Sequence, residues 1–113
     1  MNFLWVFLGG GIGSVLRYGA TLLPVPCPTV CVNVLGCFLI GLFHGWSARW
    51  GWGAEMRLLL TTGLCGGFTT FSTFSAESLE LLRAGRVFAA VGYVGASVLL
   101  GLLATFAGAW LAR

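Results

Sequence analysis

The chain has 113 residues, 58% of them hydrophobic and only 8% charged, with a formal net charge of +3 and a mean hydropathy of +0.98. One small domain has too much surface for so few charged side chains to cover, so a water-soluble monomer is excluded. The absence of lysine excludes a Walker-type phosphate loop, and six scattered arginines are too few for a nucleic-acid footprint, so no nucleic-acid partner is expected.

Charge-free stretches set the organisation, since a bilayer-spanning helix needs about 20 mostly apolar residues. Residues 3–23 supply a first span, interrupted only by Arg17. Met1-Asn2-Phe3 lacks the basic start of a signal peptide and no clear cleavage site follows, so this span is expected to stay in the mature protein. Pro24, Pro26 and Pro28 mark a turn. Residues 29–47 supply a second span, and Trp50 and Trp52 lie in an interfacial loop behind it. Residues 58–82 supply a third, Arg83-Ala84-Gly85-Arg86 a connector, and residues 87–112 a fourth. The expected fold is all-α, a single four-helix transmembrane domain over residues 1–113.

Small residues recur four apart in every span: Gly9 and Gly13, Gly41 and Gly45, Gly63 and Gly67, Ser97 and Gly101. Such faces let helices pack closely in lipid. Four short helices can hardly enclose a polar path alone, so an oligomer is expected. With an even number of spans, Arg49, Arg57 and Arg113 share one side. Arg83 and Arg86 occupy the other, joined by Arg17 if it snorkels that way. That balance gives almost no orientation under the positive-inside rule. It leaves open both uninformative charge and insertion in both directions with antiparallel pairing.

The third span carries the chemistry. Residues 61–75 read Thr-Thr-Gly-Leu-Cys-Gly-Gly-Phe-Thr-Thr-Phe-Ser-Thr-Phe-Ser. Three glycines weaken the helix there, and broken helices at the midplane are where transporters hold small ions. A Gly/Ser/Thr packing face is the competing interpretation. Phe68, Phe71 and Phe74 recur every three residues among hydroxyls. Their ring edges are positive, which suits a small anion without the tight grip of an arginine. Asn33 with Thr29, and Tyr93 with Ser97, add polar groups four residues apart on helix faces.

Raw material for catalysis is nearly absent. No carboxylate pair and no nucleophile–His–acid set exists, and Glu77 and Glu80 lie toward the end of the third span. Cys27, Cys31, Cys37 and Cys65 form no Cys-x-x-Cys pair, so packing rather than zinc is expected of them.

Four stretches together resemble the CrcB/Fluc family of fluoride channels: Gly9 to Tyr18, Asn33 with Gly36, Gly66 to Ser75, and Tyr93 with Ser97 ahead of Gly101. The resemblance covers the whole chain. It implies an antiparallel, dual-topology homodimer in the bacterial inner membrane, with two pathways that export cytoplasmic fluoride passively. Phe71 and Phe74 match the family's pore phenylalanines and Asn33 its pore-lining asparagine. Ser72, Thr73, Tyr93, Ser97 and Thr29 match the polar track, and Glu77 a carboxylate near its end. The break in the third helix is implied to hold a structural sodium ion (Na+) on the two-fold axis through the backbone carbonyls of Gly66 and Thr69. Arg17 is expected outside the pore, in a structural role. The alternative is a small multidrug-resistance-type, proton-coupled exporter. That class needs a carboxylate in the first span, and this chain has no acid before Glu55.

Overall fold

The computed structural model describes residues 2–113, and these are helical throughout apart from turns and one break. Helix α1 runs Asn2–Thr21 and α2 runs Pro28–Trp50. A third rod begins with α3, Ala54–Arg57, and continues as a π-helical segment, Leu58–Cys65, and α4, Gly66–Phe68. It resumes after Thr69 and Thr70 as α5, Phe71–Arg83. Helix α6, Val87–Ala112, ends the chain. Three helices, α1, α2 and α6, are each long and apolar enough to cross a membrane. The expected helical class and the interruption of the third helix are both present.

Local chemistry sets the boundaries. Pro28 opens α2, where its missing N–H costs nothing. Gly51, with φ of 62°, closes α2 in the left-handed conformation that glycine adopts freely, and its N–H donates to the Ser47 carbonyl. At the break, Thr69 and Thr70 are extended, with ψ of 156° and 117°. Thr70 then caps α5 by accepting the Thr73 N–H at its side-chain oxygen, at 3.2 Å.

The rods pack as two parallel pairs. Along α1, Gly9 meets Leu59 and Gly63, and Gly13 meets Leu64, Gly67 and Phe68 of the third rod. Along α2, Gly41 faces Thr105 and Ala109 of α6, while Gly108 faces Phe38 and Leu42. Positions rise together in both pairs, so the partners run in the same direction. A Cβ on Gly13 would collide with the Leu64 carbonyl and lie 2.7 Å from the Phe68 nitrogen, so only glycine permits this approach. Without a hydrophobic drive between helices in lipid, such contact is what holds them. Gly101 of the fourth small-residue pair meets Cys37 more loosely, a Cβ there lying 3.3 Å from its sulfur.

One end of the molecule is aromatic. Trp46 and Trp50 stack at 5.5 Å, and Phe43 and Trp52 tilt against Trp46 at 6.2 and 6.5 Å. Arg49 donates to the Arg113 carbonyl at 3.0 Å, and the Arg113 guanidinium lies 4.9 Å over the Trp110 ring. Rings with a polar edge and snorkelling arginines suit a membrane–water boundary. The π-helical stretch is a feature that the sequence does not announce.

Candidate functional site

The break is held by a side chain from another helix. The Thr70 N–H donates to Asn33 Oδ1 at 2.8 Å, and Asn33 Nδ2 donates back to the Thr70 carbonyl at 3.0 Å. One amide thus satisfies both polar groups of a single buried residue, much as a neighbouring strand would. In an uninterrupted helix the Thr70 N–H would serve the Gly66 carbonyl, and the Thr73 N–H the Thr69 carbonyl. Here those donors go to Asn33 and to Thr70 Oγ1 instead. The carbonyls of Gly66 and Thr69 therefore lose their helical partners.

A second cluster joins α2, α5 and α6 through Glu77. Thr29 Oγ1 donates to one carboxylate oxygen at 2.6 Å and the Tyr93 hydroxyl donates to the other at 2.5 Å. The Tyr93 ring stacks on Phe74 at 5.3 Å, and Phe74 tilts against Phe71 at 5.7 Å. Phe71 itself is 79% exposed, so one side of this aromatic pair has no cover within the chain.

These groups border a cavity of about 520 Å³ whose lining includes Asn33, Gly66, Thr69, Phe71, Phe74 and Ser97. The Ser97 hydroxyl is buried and has no hydrogen-bond partner, a costly state for a buried polar atom unless something else binds it. A smaller cavity of about 170 Å³ lies beside Arg17, Thr29 and Thr73, and Thr70 borders both. Arg17 is half-buried and sits apart from the larger cavity. Ser72 reaches Thr70 Oγ1 at 3.4 Å, while Thr73 Oγ1 accepts from Thr70 Oγ1 at 3.1 Å.

The sequence-derived residues thus fall into three groups. Asn33, Phe71, Phe74, Ser97, Gly66 and Thr69 share the large cavity; Thr29, Glu77 and Tyr93 form a bonded triad; Arg17, Thr73 and again Thr29 line the small cavity, while Ser72 meets Thr70 at the break. Sequence reading did not single out Thr70, the residue that caps α5, pairs with Asn33 and separates the cavities. Its signal was available: a threonine three residues ahead of Thr73, just after the glycines, is an N-cap pattern.

The arrangement gathers neutral hydrogen-bond donors, aromatic rings and carbonyl oxygens without helical donors around one cavity. Residues 4–109 match the family described as CrcB-like protein, Camphor Resistance (CrcB). The chain is similar to the fluoride-specific ion channel FluC of Phocaeicola vulgatus, 48% identical across 99% of this chain and 98% of that one. The protein of the same name in Bacteroides fragilis is 46% identical across 96% and 93%. That of Hyphomonas neptunium is 48% identical across 99% and 95%.

Proposed function

This chain belongs to the CrcB family, and from that premise we propose that it is a fluoride-specific ion channel. It is a multi-pass protein of the bacterial inner membrane, not an enzyme, and it lets cytoplasmic fluoride leave down its gradient. The observation that carries this reading is near-full-length identity of 42–48% to proteins named for fluoride conduction. A proton-coupled exporter would need an acid in α1, and α1 has none.

Fluoride is small and holds its water tightly, so a pathway must replace those hydrogen bonds yet release the ion. The cavity suits this. The second N–H of Asn33 and the unpartnered Ser97 hydroxyl can donate to the ion, and the edges of Phe71 and Phe74 add weak positive potential. Thr29, Tyr93 and Glu77 continue the polar groups toward the end of α5.

The working unit in this reading is an antiparallel homodimer with two pathways. Phe71 stands 79% exposed at the cavity edge, so a partner chain is needed to close that side. Arginines balanced between the two sides remove any strong preference for one orientation. Sodium fits the break: Gly66 and Thr69 carry carbonyls without helical donors, and Gly66 is exposed, a Cβ there meeting nothing within 4 Å. A bound sodium ion would neutralise those oxygens and tie the two breaks together. Asn33 keeps the Gly66 carbonyl free for it by taking the Thr70 N–H, and Thr70 Oγ1 keeps the Thr69 carbonyl free by taking the Thr73 N–H.

Expression in a bacterium stripped of its own fluoride export tests the function. Growth on fluoride should be restored, without dependence on the proton gradient. Protein present in the membrane with no rescue would overturn the reading. Membrane-impermeant labelling of a cysteine added at either terminus should find it on both faces; labelling on one face alone would remove the antiparallel dimer.

A further inference from the structure

Two exposed cysteines, Cys27 and Cys31, follow the turn from α1 into α2, and neither lines the cavities described above. Cys27 precedes α2 in the left-handed conformation, with φ of 49°, and the Cys31 N–H donates to its carbonyl at 3.1 Å. That bond places the two residues one helical turn apart. Helical side chains lean toward the N-terminus, and Cys31 does so: its sulfur lies 3.5 Å from the Pro26 carbonyl oxygen, next to Cys27. The Cys31 sulfur and a carbonyl oxygen thus share one exposed edge, with the Cys27 backbone one helical turn away. Cys37 is half-buried and Cys65 buried, both on other faces of the bundle.

We propose that Cys27 and Cys31 form a two-thiol binding site for a soft divalent cation of the cadmium class, with the Pro26 carbonyl oxygen beside it. Thiolate ligands select soft metals, whereas hard cations such as magnesium favour oxygen ligands. Among the described residues no group of three or more His, Cys, Asp or Glu side chains gathers. The site is therefore a two-sulfur clip completed by water rather than a closed four-ligand zinc centre. On binding, two S–H bonds break, two metal–sulfur bonds form, and two protons pass to water; nothing is oxidised or reduced.

Competition between cadmium chloride and a water-soluble maleimide on the purified full-length protein tests this, with each cysteine read separately by peptide mass spectrometry. Cadmium should slow labelling of Cys27 and Cys31 together, at least about tenfold, and a chelator should restore it. Cys27→Ser should raise the cadmium concentration that protects Cys31 by about 100-fold, and Cys31→Ser should do the same for Cys27, because the second sulfur binds intramolecularly. Unchanged labelling of buried Cys65 verifies that each variant keeps its fold. No protection in the wild type, or protection of one thiol that survives loss of the other, would overturn the site.

Discussion

The two halves of the third rod are held by opposite means. From Leu58 to Phe68 the rod is pressed against α1 by backbone contact, with Gly63, Cys65 and Phe68 buried. From Phe71 to Arg83 it buries no residue, and side-chain hydrogen bonds keep it in place: Thr70 to Asn33 at one end, Glu77 to Thr29 and Tyr93 further along. Glycine packing leaves no room and therefore no freedom. Hydrogen bonding leaves polar atoms available beside a cavity. The first half carries the close packing, and the second, in the proposed reading, lines the path of the ion.

The contrast breaks most visibly at the packed half. Gly13→Val should cost about 3 kcal/mol or more, since overpacking here meets backbone rather than a movable side chain. Gel filtration and thermal unfolding should show loss of the folded assembly. In the bonded half, Asn33→Asp should loosen the break by removing the donor to the Thr70 carbonyl, and in protein that still assembles it should cut fluoride efflux several-hundred-fold. A negative charge close to the ion adds repulsion of roughly 3–4 kcal/mol at an interior effective dielectric near 20. Ion-electrode recording from liposomes measures it.

Tyr93→Phe sharpens the comparison. Removing one of two hydrogen bonds to Glu77 should lower stability by about 1.5–2 kcal/mol, read by thermal unfolding. Paired with Thr29→Val in a double-mutant cycle, it should show coupling through the shared carboxylate. The smallest effect is expected for Phe71→Ile, a threefold to tenfold loss of efflux with unchanged assembly. Ring-edge interactions contribute only about 0.5–1.5 kcal/mol beyond area. Unaltered efflux would remove the ring edge from the account.

Packing was legible in the sequence wherever it is periodic. The pairs Gly9 with Gly13 and Gly41 with Gly45 do lie against neighbouring helices, because four-residue spacing dictates a face before any partner is known. The break was legible from Gly66-Gly67 followed by hydroxyls, because glycine loss of helix propensity is local. The partners were not. That Asn33 bonds the backbone of Thr70, 37 residues away, depends on how α2 and the third rod meet. The seating of Glu77 between Thr29 and Tyr93 is equally non-local. The π-helical turn Leu58–Cys65 leaves no composition signal, since its residues, Leu-Leu-Leu-Thr-Thr-Gly-Leu-Cys, would also suit an α-helix.

Passive efflux from liposomes holding the purified protein, recorded with a fluoride electrode and no pH gradient, tests the central claim most directly. The account predicts rapid, complete release of fluoride while chloride stays trapped. A folded protein that releases no fluoride, or releases both halides alike, would contradict it.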